Sequence, residues 1–286
     1  MAVVLIAALA ACTSSSPAPA RAPRPAGTVD AERFRMVAGN ALAVSRPDYR
    51  IELGEAFEVV RREEWLSLPV VVEPQWAGVP ADPWLRRRLE LRQSAVSGRV
   101  VLPDLPASRI RRLFGLVGGD GGAERRERAR ALLDTLGSGP ALTLVIEFER
   151  GMSPAELNRE GWGEIRRALL SPRTVRQPLY WATGSCASKG LPSTCDEVSP
   201  VAQFHAWVSL LRPADDPTLR QFGLSLAQLR QWADTAKVYG SIEIGVGAAY
   251  AKRLLGRDGV KMVHVVGAEL DCVSNDYACT PLRSPS

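Results

Sequence analysis

The chain has 286 residues, with 36 Lys and Arg against 31 Asp and Glu, a net charge of +5. Only four cations are lysine (Lys189, Lys237, Lys252, Lys261), and the densest basic run, Arg125 to Arg130, is accompanied by Glu124 and Glu127. Such mixed charge suits a solvated helix face better than a nucleic-acid surface, so no nucleic acid is expected among the partners. A hydrophobic content of 46% is enough to bury a real core.

The apolar run Val3 to Ala11 ends in Leu9-Ala10-Ala11-Cys12. Nine apolar residues span about 14 Å as a helix, well short of the ~20 residues a bilayer crossing needs, so the run reads as an export signal. The pattern resembles the lipobox of bacterial lipoproteins. The resemblance implies lipidation of Cys12 on sulfur, with Cys12 as the first residue of the mature protein and palmitate-type acyl chains as its anchor. Ala8-Leu9-Ala10 also fits the small-x-small rule of an ordinary secretory signal, so a secreted form remains the alternative. Thr13 to Gly27, rich in Ser, Pro and Ala, has the composition of an extended tether. The expected organisation is a signal peptide (1–11), a lipidated tether (12–28), an N-terminal region (29–139), a C-terminal binding or sensing domain (140–270) and a tail (271–286).

Apart from Cys12, the cysteines form two close pairs, Cys186 with Cys195 and Cys272 with Cys279. Four cysteines permit three connectivities. The short, turn-like intervals favour local disulfides that pin two loops. A zinc site competes less well, because neither pair has the spacing of a zinc knuckle and no His lies between its members.

The remaining elements follow in chain order. Asp30 to Val44 reads as an amphipathic helix with Asp30 as N-cap, Leu68 to Pro74 as a short strand bounded by prolines, Trp84 to Arg92 as a helical turn or two, and Val96 to Leu102 as extended. Gly118 to Gly122 is a loop with no Gly-Lys-Ser/Thr after it, hence no phosphate cradle, and Ala123 to Leu136 is a helix ended by Gly137. After Pro140 come a strand (Ala141 to Phe148), a helix opened by the Ser153-Pro-Ala-Glu156 capping box and running towards Leu170, and a strand (Pro178 to Thr183). Helices follow from Ser199 and Ser225, then a strand (Val238 to Ile244), a helix (Ala248 to Leu255) and a strand (Val260 to Val266). The expected fold is α+β: two β-α-β units in one sheet with helices on a face, ferredoxin-like, preceded by an irregular helical and extended N-terminal half.

Within this pattern Val238-Tyr239-Gly240, Leu254-Leu255 and Val265-Val266-Gly267 resemble the closing segment of the C-terminal domain of bacterial sigma-factor regulators. That resemblance implies an extracytoplasmic sensing or binding domain, with an envelope or signalling protein as partner. It does not imply sigma-factor regulation, since a lipid-anchored chain would sit on the other side of the membrane.

Little in the chain marks reaction chemistry. Gly245 to Tyr250 follows a strand and opens a helix, but Tyr250 stands where the third dinucleotide-loop glycine belongs, and no cofactor is expected. His205 and His264 read as packed, hydrogen-bonded histidines. Glu147 and Glu243 occupy similar places in the first strands of the two units, so neighbouring strands would bring them together as an acid/base pair. The alternative function is therefore a glycan hydrolase of the envelope, for which the seven tryptophans would line a cleft. The favoured expectation is a lipid-anchored binding protein on the outer face of the cell membrane, without a catalytic residue.

Overall fold

The structure, a computed structural model, describes residues 30–53, 58–74, 86–105, 114, 117, 122–137, 139–172, 178–183 and 199–270. The lipobox, the tether, the tail after 270 and the cysteines Cys12, Cys186, Cys195, Cys272 and Cys279 lie outside the described residues.

Asp30 caps the first helix as expected, its side chain accepting from the Glu32 N–H at 3.0 Å. The helix continues through α1 (Ala31–Phe34), a π-helical stretch (Arg35–Gly39) and α2 (Asn40–Ser45). Phe34 to Val44 are buried, so this is a core helix rather than an amphipathic surface one. Within the widened turn the Met36 carbonyl accepts from Asn40 Nδ2 at 3.0 Å and from Trp207 Nε1 at 3.1 Å. The N-terminal helix is thereby fastened to an aromatic group of the C-terminal half, in which Trp181, Phe204 and Trp207 have ring centroids 5.5–6.0 Å apart.

The N-terminal half is more regular than its sequence suggests. β1 (Tyr49–Glu52), β2 (Val60–Arg61), β3 (Trp65–Pro74), β4 (Arg87–Ser94) and β5 (Val100–Val101) form an antiparallel sheet in the order β1-β3-β4-β5, with β2 beside β3. The helical expectation for Trp84 to Arg92 is corrected. Leu89, Leu91 and Gln93 alternate with Arg88, Glu90 and Arg92 at a period of two, and Leu91, opposite Leu68, is fully buried. Pro69 is accommodated inside β3 because β2 pairs at Leu66 and Ser67 and β1 at Val71 to Pro74, so neither opposes it on that edge.

α3 (Ala123–Leu136) ends at Gly137 with φ 62° and bears the expected local ion pairs, Glu124–Arg128 and Glu127–Arg130. From the same helix Arg126 donates to the Leu255, Val260 and Lys261 carbonyls, tying α3 to the end of the helix Ala248–Leu255 and the start of the strand Val260–Leu270.

The C-terminal sheet holds β6 (Pro140–Met152), β7 (Arg167–Leu169), β8 (Tyr180–Ala182), β9 (Val238–Gly247) and β10 (Val260–Leu270), in the order β10-β6-β9-β7-β8. Every neighbouring pair is antiparallel. β6 and β7 therefore run the same way with β9 between them, and β9 and β10 run the same way with β6 between them. α4 (Pro154–Arg159) connects the first of these pairs and α8 (Ala248–Leu255) the second. The Ser153–Glu156 capping box forms as expected, but α4 stops at Arg159 instead of continuing towards Leu170. The chain turns there through Gly161 and Gly163, both at positive φ. Between β8 and β9 lie α5 (Pro200–Ser209), α6 (Asp216–Arg220) and α7 (Leu226–Thr235).

β6 is buried on both faces from Leu142 to Phe148. Leu142, Leu144, Ile146 and Phe148 enter the main core, which also contains Phe34, Leu68 and Leu91 of the N-terminal half. Val145 enters a second cluster with Ile242, Leu169, Tyr180, Val266, Phe114 and Val117. The described residues thus form a mixed α+β body of two antiparallel sheets with helices, in which both halves of the chain share one core.

Candidate functional site

Register decides the fate of the predicted carboxylate pair. Residues directly opposite in an antiparallel ladder share a face, and successive residues alternate. Glu243 opposes Leu144 whereas Glu147 opposes Gly240. Leu144 and Glu147 are an odd number of residues apart, so β6 and β9 are neighbours, as expected, yet the two carboxylates point to opposite faces. They do not form an acid/base pair.

Glu147 shares its face with a row across the sheet: Gly240, Leu169 and Tyr180 stand opposite one another in successive strands. It is 6% exposed. Lys261 Nζ lies 3.0 Å from one carboxylate oxygen and His264 Nε2 3.4 Å from the other. Lys261 falls at a register irregularity of β10 between Val260 and Met262. His264 is 7% exposed and packed, as expected. An ammonium and an imidazole thus offset the cost of burying this carboxylate. The sequence reading missed Lys261. Only its position on the strand next to β6, known once the pairing is known, discloses it.

Glu243 lies half-buried on the other face, near Tyr250 of α8. Burial pushes its carboxyl above the usual value, opposed by the positive charge of Arg167. The Tyr250 hydroxyl is likewise pushed up, by burial first and by the Glu243 charge second. Close by, the Arg257 guanidinium stacks 3.9 Å over Trp162.

His205 departs from expectation, because it is exposed. On α5 the buried positions are Pro200, Val201, Gln203, Phe204, Trp207 and Val208, and His205 falls off that stripe. It lines a groove of about 210 Å³ between α5 and α7, together with Val208, Ser209, Arg230, Ala233 and Asp234. Val208 and Ala233 are buried and make the floor, while the four polar side chains form the rim. Arg230 Nη2 donates to the Leu211 carbonyl at 3.2 Å and Ser209 Oγ to the Ala206 carbonyl at 2.7 Å. Helical periodicity applied to α5 and α7 is the signal that could have placed His205, Arg230 and Asp234 on outward faces, but not opposite one another.

Among the described residues no group of three or more His, Cys, Asp or Glu side chains is placed to hold a metal ion. No helix among them is long and apolar enough to cross a membrane. No protein-family model, curated protein or solved structure matches the chain.

Proposed function

We propose that this chain is a lipid-anchored binding or sensing protein on the outer face of a bacterial cell membrane, tethered through Cys12. The observation that carries the reading is the apolar run closing on Leu9-Ala10-Ala11-Cys12, followed by a Ser/Pro/Ala tether that leads to the folded body. A thioether-linked diacylglyceryl group supplies two acyl chains, enough for stable anchoring where one chain would be marginal. Local disulfides Cys186–Cys195 and Cys272–Cys279 suit the exporting compartment.

The C-terminal half is read as a ferredoxin-like sheet with one added edge strand. Taking β6, β7, β9 and β10 as strands one to four, their order is four-one-three-two, with a helix in each split β-α-β unit. The resemblance of Val238 to Gly267 to the end of a sigma-factor regulator's C-terminal domain supports an extracytoplasmic recognition role, with an envelope or signalling protein as partner. Binding is favoured over glycan hydrolysis because Glu147 and Glu243 occupy opposite faces and Glu147 is already engaged by Lys261 and His264.

The test is the intact mass of the protein recovered from a bacterial membrane fraction, with and without reductant. The reading predicts a chain that starts at Cys12, carries diacylglycerol and gains the hydrogens of two reduced disulfides. An unmodified chain with free thiols would overturn it.

A further inference from the structure

We infer that the groove between α5 and α7 binds a small zwitterion, a free amino acid or a molecule presenting the same adjacent ammonium and carboxylate groups. This deepens the binding role proposed above.

Four features converge. First, the rim brings both charge signs to one small space: Arg230 and Asp234 sit one turn apart on α7, facing His205 and Ser209 of α5. Second, Arg230 and Asp234 form no ion pair with each other among the described residues, although four-residue spacing on a helix permits one. Arg230 is turned to the Leu211 carbonyl instead, which fixes the guanidinium while engaging only one of its five N–H donors. Third, Ser209 points its hydroxyl hydrogen at the Ala206 carbonyl, which leaves the oxygen lone pairs as acceptors. Fourth, the floor of Val208 and Ala233 is apolar, and the volume of about 210 Å³ is below the ~300 Å³ at which pockets for drug-sized ligands begin.

These groups sort a ligand by charge. A carboxylate takes the remaining Arg230 donors and an imidazole N–H of His205, while an ammonium takes the Asp234 carboxylate and Ser209 Oγ. A plain anion would meet Asp234 and a plain cation would meet Arg230, each at an electrostatic cost that a zwitterion avoids. A metal ion would find one carboxylate and one imidazole beside a guanidinium, too few ligands and the wrong neighbour.

The experiment titrates the full chain, extracted in mild detergent, with each of the common free L-amino acids up to millimolar concentration, reading heat of binding and the shift in Tm. Any amino acid that binds is then compared with its N-acetyl and C-amide derivatives. The proposal expects at least one amino acid to bind and both derivatives to lose binding. Arg230→Gln and Asp234→Asn should each weaken binding by about tenfold or more, as loss of a hydrogen bond to a charged group does. Asp234 is exposed, so Asp234→Asn should keep the Tm of the unliganded chain, whereas Arg230→Gln also gives up the bond to the Leu211 carbonyl and should lower it slightly. Three results overturn the proposal: no amino acid binds, binding survives both substitutions, or the N-acetyl derivative binds as well as the free amino acid, which would mark a simple anion site. Failure of the lipid anchor would appear in the membrane-fraction mass and leave this titration unaffected.

Discussion

The two sheets handle charge in opposite ways. In the N-terminal sheet the outward residues of β4, Arg88, Glu90 and Arg92, are exposed while Leu91 between them is fully buried. One face is wet, and its charges pair loosely at the surface, as Arg92 and Glu90 do at 3.5 Å. In the C-terminal sheet β6 is covered on both sides from Leu142 to Phe148, so a charge within that stretch must be neutralised inside the protein. Glu147 meets that requirement with Lys261 and His264. The same residue type at the same alternation is thus a solubility device in one sheet and part of a packed network in the other. The difference comes from the layers on each face, not from the strand's own sequence.

The largest expected effects lie in the doubly covered sheet. Leu144→Ala removes a side chain with no exposed area from the centre of β6 and should cost about 2–5 kcal/mol. Urea unfolding monitored by tryptophan fluorescence measures it. Glu147→Ala leaves buried His264 and half-buried Lys261 without their carboxylate, and an expected loss of about 2–4 kcal/mol follows from breaking such a pair, discounted because Lys261 keeps some solvent. If Glu147→Ala melted like the parent, the buried-network account of this face would be wrong.

Intermediate effects come from the α4 cap and from Glu243. Ser153→Ala should cost about 1 kcal/mol, the usual worth of an N-cap side chain. The cap also carries a pH signature. Hydrogen bonds from the Ser153 backbone and from Arg150 lower the Glu156 carboxyl from 4.5 to about 2. A depressed folded-state value means the contribution is present above about pH 4.5 and is lost as the pH falls towards 2. Tm measured against pH should therefore fall less steeply across that window in Glu156→Gln than in the parent. Glu243 has the opposite sign. Its folded value is raised by burial, so its favourable contribution exists below the unfolded value and is lost as the pH rises through the folded one. At neutral pH Glu243→Gln should raise Tm slightly, and the gain should vanish in acid.

The legible parts of the fold are those encoded by residues close in sequence. The Asp30 cap, the Ser153–Glu156 box, the Gly137 stop and the bounds of α8 follow from local capping and glycine chemistry. The Val238-Tyr239-Gly240 motif could be recognised but not explained. The structure supplies the reason, because a Cβ on Gly240 would lie 2.3 Å from the Ile146 carbonyl oxygen and one on Gly151 would meet the Tyr239 ring at 2.7 Å. Strand β4 was hidden because its Arg and Glu residues have good helix propensity, which tertiary pairing with β3 overrides. The site residues were less legible still. Which face Glu147 takes, and that Lys261 meets it, depends on a register and a bulge that pairing alone sets. His205 and Asp234 line one groove between two helices whose packing no local pattern specifies.

The smallest effect is the one that best isolates the contrast between the sheets. Arg92→Ala removes an exposed cation from the wet face of β4, where its partner Glu90 is just as exposed. Exposed pairs contribute little because water screens them and ordering two long side chains costs entropy, so the change should stay within about 0.5 kcal/mol. Salt offers a second reading of the same contrast. Added salt should erase even that difference, whereas the penalty of Glu147→Ala should persist, since buried pairs are screened far less. Urea unfolding of the two variants in low and high salt compares them directly. An Arg92→Ala loss as large as that of Glu147→Ala would mean that the outer face of the N-terminal sheet is covered after all, and that the contrast between the two sheets does not hold.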